Sequence, residues 1–109
     1  MLLSNADNAT LEKVYNYIRN NAAKRLLVRD LVMLSGMSET KFNKAFSFKY
    51  QISAHQYCLE ESMKVASKML ESGSSVKNVA YELGYTNVRS FSRVFKHHMQ
   101  INPAALKAH

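Results

Sequence analysis

The sequence has little of what disulfide-bonded, loop-rich or membrane-spanning proteins need. Its 109 residues include one cysteine, one proline and three glycines. The single cysteine, Cys58, excludes an internal disulfide and any cysteine-rich zinc module. So few turn-forming residues argue against a β-sandwich or barrel and favour helices. No apolar run approaches the roughly 20 residues that cross a bilayer, and no secretory signal opens the chain. We therefore expect an all-α cytoplasmic protein.

Acidic residues are also scarce. Eight Asp and Glu stand against 15 Lys and Arg, which gives a formal net charge of +7. In so short a chain this excess indicates a polyanionic partner or an anionic membrane surface. The hydrophobic share of 47% is enough to fill a core, so disorder over most of the length is excluded. The length allows one domain or two very small ones.

Helical periodicity runs through the chain. The spacing of Leu11, Val14, Tyr15 and Ile18 predicts a helix over about 9–21, with Asn8 as its N-cap. Similar spacings predict helices from residue 28, after Ser38, over 54–72, from residue 76 and after Asn87, with a final turn at Pro103. The methionines are interpreted as core residues, and these are Met33, Met37, Met63, Met69 and Met99.

The second half of the chain repeats the first. Phe42 and Phe46 match Phe91 and Phe95 at an offset of 49 residues. Upstream, Gly36 matches Gly84 at an offset of 48, so the second copy has one extra turn residue. We predict two helix–glycine turn–helix subdomains, over 8–53 and 73–109, joined by a linker helix over 54–72. The four phenylalanines are predicted to be buried.

Positive charge concentrates in the second helix of each copy. Segment 38–50 has a net charge of +2 and segment 86–98 a net charge of +3, whereas the joining helix 54–72 has a net charge of −1. A helix in the major groove of DNA needs cations for phosphates and hydrogen-bond donors for base edges. The distribution therefore favours duplex DNA as the polyanionic partner.

The residues of both copies resemble the DNA-binding domain of the AraC/XylS family of bacterial transcription regulators. The resemblance is strongest over Val76–Tyr85, over Phe91–Lys96 and at Asn102-Pro103. It implies seven helices and two helix-turn-helix subdomains, whose recognition helices enter successive major grooves about 34 Å apart. It also implies a bacterial, nucleoid-associated regulator, most simply an activator. Gln51 and Gln100 replace the glycine that usually follows each recognition helix.

The resemblance also implies which side chains contact DNA. The base-facing residues would be Thr40, Asn43, Lys44, Val88, Arg89 and Arg93. The phosphate contacts would be Lys41, Lys49, Ser92 and Lys96. Val88 would make only an apolar contact, such as one with a thymine methyl group.

Other functions find less support in the residues. The chain has no glycine-rich phosphate loop, nucleophile elbow or His-Glu-x-x-His motif, so we expect neither an enzyme nor a cofactor. His97 and His98 point about 100° apart on a helix, and we expect no metal site from them, His55 or His109.

Two alternatives to DNA binding stay open. The scaffold could instead bind RNA polymerase or another regulator, and a complex that survives nuclease treatment would favour that function. A membrane-surface bundle would need an exposed apolar helix face, and we expect none after the core is built. Many members of the resembled family carry an N-terminal effector-sensing domain. The first ten residues are too few to form one, so we expect that domain to be absent from this chain.

Overall fold

The structure is a computed structural model that describes residues 1–106, and all regular secondary structure in that range is helical. The seven helices are α1 Asn5–Asn20, α2 Val28–Ser35, α3 Glu39–Tyr50, α4 Ala54–Glu71, α5 Val76–Glu82, α6 Val88–Met99 and α7 Pro103–Leu106. The predicted all-α class with two helix-turn-helix motifs is therefore confirmed. None of the described helices is long and apolar enough to cross a membrane. The last three residues of the predicted second subdomain, 107–109, lie outside the described range.

Helix α1 begins earlier than its apolar spacing predicted. Ser4, not Asn8, is the N-cap, because its hydroxyl accepts a hydrogen bond from the Asp7 backbone N–H at 3.0 Å. The Asp7 carboxylate in turn accepts from the Ser4 backbone N–H at 3.4 Å, which completes a capping box. Asn8 lies inside the helix, where its amide donates to the Ser4 carbonyl. A reciprocal cap therefore adds a polar first turn that the hydrophobic stripe could not predict.

The helices form two compact units. The first comprises Met1–Ala22 and Leu26–Leu59, and the second joins Ala23–Arg25 to Glu60 and the residues that follow it. The division falls inside α4, so the first turns of this helix belong to the first unit and the later turns to the second.

The first unit buries one apolar face from each of its helices. Its core contains Leu11, Val14 and Ile18 of α1, Leu31 of α2, Phe42, Ala45 and Phe46 of α3, and Ala54 and Tyr57 of α4. Tyr15 stacks on Tyr50 and Tyr57, with ring centroids 4.3 and 4.4 Å apart. Aromatic side chains thus supply much of the apolar area that holds this small unit together.

The second unit has a separate core. It is formed by Met63, Ala66 and Leu70 of α4, Val79, Ala80 and Leu83 at α5, and Phe91 and Phe95 of α6. All four phenylalanines of the sequence repeat are fully buried, as predicted. Ala80 has no exposed surface, which is consistent with a small residue at the position where α5 and α6 cross.

Met33 of α2 contradicts its sequence-based interpretation as a core residue. It is 79% exposed, and its neighbour Leu34 is 54% exposed. Helix α2 is only eight residues long and fully buries one side chain, Leu31. Met33, two residues beyond Leu31, points away from that contact, because successive helical residues are about 100° apart. Leu34 lies on the same side as Leu31 but in the last turn of this short helix, where the core covers only part of it. Helix α2 therefore exposes Met33 and Leu34 beside the charged residues Arg29 and Asp30.

The two helix-turn-helix motifs repeat in backbone detail. Gly36 and Gly84 both have positive φ, 69° and 88°. Gly36 is the C-cap of α2, and Gly84 directly follows Leu83, the C-cap of α5. The second motif has Tyr85 and Thr86 between this glycine and the N-cap of the next helix, whereas the first has only Met37. This is the extra turn residue that the shift in the repeat offset predicted. Both recognition helices, α3 and α6, are 12 residues long.

Both recognition helices end at a glutamine in the left-handed conformation. Gln51 has φ 59° and Gln100 has φ 60°, a region that favours glycine. In each case the side-chain amide donates to the backbone carbonyl three residues earlier, at 2.8 Å. These hydrogen bonds offset part of the backbone cost, so a glutamine can end each of these helices in a conformation that favours glycine.

The two turn glycines provide a matched pair of stability predictions. A Cβ atom at Gly84 would lie 2.8 Å from the Cβ of Arg25, whereas a Cβ at Gly36 would meet nothing within 4 Å. Gly36→Ala therefore has only the left-handed backbone cost of about 1 kcal/mol. Gly84→Ala adds steric overlap, so we expect a total loss of about 2–4 kcal/mol. Urea unfolding followed by circular dichroism measures both losses, and equal losses would contradict the predicted contact at Gly84.

Candidate nucleic-acid interface

Each unit has its own candidate interface, which is the outward face of α3 in the first unit and of α6 in the second. In α6, Phe91 and Phe95 point into the core of the second unit, which fixes the rotation of the helix about its axis. Arg89, Arg93 and Lys96 follow one another at intervals of four and three residues, so they share the opposite face. All three side chains are exposed. We name these three residues the α6 basic face.

The α6 basic face is not neutralised within the described part of the chain. Neither an ion pair nor a hydrogen bond to another described residue involves its three cationic groups, and α6 itself contains no acidic residue. Asn87 caps the helix, because its side-chain oxygen accepts from the Ser90 backbone N–H at 2.8 Å. A rigid, capped helix with three exposed cations on one face can bind phosphates and base edges without first breaking intramolecular contacts.

The other two predicted contacts on α6 are less exposed. Val88 and Ser92 are half-buried, and the Val88 side chain packs partly against the core of the second unit. The two residues lie one helical turn apart, and part of each side chain remains at the surface beside the α6 basic face. Their assigned roles, apolar contact for Val88 and phosphate contact for Ser92, are compatible with this exposure and stay predictions.

Helix α3 places its predicted base-facing residues outside. Thr40, Asn43 and Lys44 are exposed, whereas Phe42 and Phe46 are buried. Ser38 caps the helix by accepting from the Lys41 backbone N–H at 3.2 Å. The first two turns of α3 therefore present two neutral polar groups and one lysine to solvent.

The two predicted phosphate contacts on α3 have partners within the first unit. The Lys41 ammonium lies 3.3 Å from a carboxylate oxygen of Asp7, although its side chain is 48% exposed. The Lys49 side chain is only 19% exposed, and its ammonium donates to the Asn8 side chain at 2.9 Å. It also lies 3.4 Å from Glu12. Lys49 thus bridges α3 to α1 and is the least accessible of the predicted contacts.

Its position along α3 explains why Lys49 is only partly exposed. It follows Phe42 by seven residues and Phe46 by three, so it lies on the core-facing side of the helix. The sequence also shows this spacing, but the positive charge of Lys49 led to its prediction as a phosphate contact. The partners of Lys49, Asn8 and Glu12, lie more than 30 residues away in the chain and had no sequence signal.

Two titratable side chains of the first unit are uncharged near neutral pH. Burial, with a smaller contribution from the nearby carboxylate of Glu12, raises the pKa of Tyr50 to about 12. Burial also raises the pKa of the Cys58 thiol to about 11. Cys58 is half-buried beside the first core, as a small apolar residue would be. Neither group adds negative charge to the candidate interface.

The histidines do not assemble with other ligands in the described range. His97 and His98 meet edge to face, with ring centroids 5.5 Å apart. Among residues 1–106, no three or more His, Cys, Asp or Glu side chains come together as a metal site. His109 lies outside the described residues.

Comparison with known proteins identifies the family. Residues 31–109, well over half of the chain, match the family model described as a helix-turn-helix domain. The chain belongs to the AraC-type helix-turn-helix family. Its function is sequence-specific DNA binding and regulation of transcription. The family and the fold are those of DNA-binding transcription regulators, which are generally not enzymes.

One curated protein and two solved structures are similar to most of this chain. The multiple antibiotic resistance protein MarA of Escherichia coli is 24% identical over 100 residues, which cover 91% of this chain and 79% of MarA. The C-terminal domain of the response regulator AraT from Geobacillus stearothermophilus superposes with a TM-score of 0.83 at 19% identity, and the match covers 90% of this chain and 83% of the AraT chain. The DNA-binding domain of AdpA, solved in complex with a target DNA, superposes with a TM-score of 0.79 at 22% identity, and the match covers 87% of this chain and 86% of the AdpA chain.

The different environments of Lys44 and Lys49 in this AraC-type domain lead to a stability prediction. Lys49→Ala removes the hydrogen bonds to Asn8 and a half-buried stem, so we expect a loss of about 0.5–1.5 kcal/mol. Lys44→Ala changes an exposed side chain, so we expect a change within about 0.5 kcal/mol. Urea unfolding compares the two variants, and a larger loss for Lys44→Ala would contradict the assignment of Lys49 to the α1–α3 contact.

Proposed function

We propose that this chain regulates transcription by placing the outward faces of α3 and α6 in successive major grooves of one duplex DNA site. The α6 basic face is the observation that carries this proposal. Its cations are exposed, lie on one side of a capped helix and have no acidic partner among the described residues. The AdpA domain, which has the same fold, was solved with its target DNA and supports double-stranded DNA as the partner.

The proposed contacts divide by residue type. Arg89 and Arg93 lie one helical turn apart, and either guanidinium can donate two hydrogen bonds to the O6 and N7 atoms of guanine. Lys96 follows Arg93 by three residues, toward the C-terminal end of α6, and would contact a phosphate. Its contribution to binding would therefore be independent of sequence.

On α3, the proposed readers of base edges are Thr40, Asn43 and Lys44. The Asn43 amide can pair with adenine at N6 and N7, and Lys44 can donate to guanine acceptors. We leave Lys49 out of the proposed contacts, because its ammonium is already held by Asn8 and Glu12.

A protein partner is also proposed for regulation. Met33 and Leu34 on α2 are exposed, and Tyr81 occupies the position on α5 that Met33 occupies on α2. Such apolar side chains add nothing to phosphate binding and suit contact with another protein. We propose RNA polymerase as that partner and activation as the sense of regulation.

The proposal predicts that two neighbouring cations on α6 have separable effects. A high-affinity site is first selected from random duplex DNA, and binding is then measured by fluorescence anisotropy. Arg93→Ala should lower affinity for that site by about 1–3 kcal/mol and relax the preference at one base pair. Lys96→Ala should weaken binding to all sequences alike and reduce the slope of log affinity against log salt by about 1.

The control for these variants is Lys68→Ala, which removes an exposed charge from α4, outside both recognition helices. This variant should change affinity less than either substitution on α6. If Arg93→Ala retains both the affinity and the base preference of the wild-type chain, the proposed orientation of α6 is wrong.

A further inference from the structure

The two recognition helices differ in how many of their positively charged side chains are paired with carboxylates of the same chain. On α3, the Lys41 ammonium pairs with Asp7 and the Lys49 ammonium pairs with Glu12, at 3.3 and 3.4 Å. Glu39, in the first turn of the same helix, offsets the remaining charge of Lys44. On α6, by contrast, none of the three cations of the basic face is paired within residues 1–106. The formal charges of the two segments, +2 and +3, conceal this difference.

Asp7 is held in place beside Lys41 by the helix cap. Its carboxylate accepts from the Ser4 backbone N–H, and its own backbone N–H donates to the Ser4 hydroxyl. Although desolvation raises the pKa of Asp7, hydrogen bonds from Lys41 and Ser4 outweigh it, and the net pKa lies below the usual value. Asp7 is therefore ionised at neutral pH and fixed by contacts other than the ion pair itself.

Lys41 is a predicted phosphate contact, and it remains accessible to solvent beside Asp7. It is the third residue of α3, in the turn that also carries Thr40, and nearly half of its side chain is accessible. An ammonium group that is already neutralised by a carboxylate releases fewer counterions from DNA, so it adds little to the salt-dependent attraction. A phosphate oxygen that approaches Lys41 must share its ammonium with the Asp7 carboxylate, whose negative charge repels the phosphate and lowers the contribution of Lys41.

We propose that Asp7 is an internal competitor for Lys41, which lowers the sequence-independent attraction of the first unit for DNA. Most of that attraction then comes from the α6 basic face, and α3 contributes mainly through its base-edge contacts. This inference rests on the proposed function, because it assumes that α3 approaches DNA. It assigns to Asp7, a residue that need not touch DNA, control over the affinity of the complex.

The test is a double-mutant cycle on the full chain, with Asp7→Asn, Lys41→Gln and the combined variant. Binding to a random-sequence duplex and to the selected site is measured by anisotropy over a series of salt concentrations. Asp7→Asn should raise affinity for both duplexes roughly three- to tenfold at low salt and steepen the log–log salt slope by about 1, the value for one more phosphate contact. In the Lys41→Gln background, Asp7→Asn should change affinity by less than twofold.

The matched control is Glu71→Gln, which makes the same change in net charge on exposed surface of α4. An equal gain in affinity from Glu71→Gln would overturn the proposal, because overall charge would then be the cause. An undiminished effect of Asp7→Asn in the Lys41→Gln background would overturn it as well. Circular dichroism at the titration temperature checks folding, and Asp7→Ser replaces Asp7→Asn in the cycle if the helical signal falls.

The wild-type measurement separates this inference from the function on which it rests. If the wild-type chain shows no preference for any selected site, the proposed function fails and the inference falls with it. If the wild-type chain prefers its selected site but Asp7→Asn leaves affinity and salt slope unchanged, only the role of Asp7 is refuted.

Discussion

The burial of two phenylalanines on each recognition helix is the constraint on which the interface depends. Phe42 and Phe46 fix the rotation of α3, and Phe91 and Phe95 fix that of α6, because each pair spans one turn and has no exposed surface. Once that face is buried, the helical period alone decides which residues point outward. The side chains that could read DNA are therefore selected by the core, and a change of rotation would expose phenylalanine and bury charge.

Helix caps and turns, together with the two cores, fix the position of each recognition helix within its unit. A polar N-cap, Ser38 or Asn87, begins each recognition helix, and a positive-φ glycine lies in the turn that precedes it. These contacts are local, so they repeat almost residue for residue between the copies. The electrostatic surroundings do not repeat, because α1 brings acidic residues to α3 and no acidic residue pairs with the cations of α6 in the described range. One repeated backbone thus carries two faces of different electrostatic character.

Local and periodic features could be predicted from the sequence, and tertiary partners could not. The buried phenylalanines and the exposed Arg93 follow from helical spacing within a few turns, and the repeat and the extra turn residue follow from comparing the two halves of the sequence. The start of α1 was misplaced because the cap at Ser4 precedes the apolar stripe. The exposure of Met33 depends on how little of a short helix the core covers. The partners of Lys49 come from a distant helix, so its charge alone suggested solvent or phosphate.

Major-groove reading by two helices is the central claim, and dimethyl sulfate footprinting of the selected DNA site tests it most directly. The reagent methylates guanine N7 in the major groove and adenine N3 in the minor groove. We predict protection of guanine N7 in two groups whose centres are about 10 base pairs apart, with adenine N3 still reactive. Protection confined to the minor groove, or to one group of base pairs, would contradict the account.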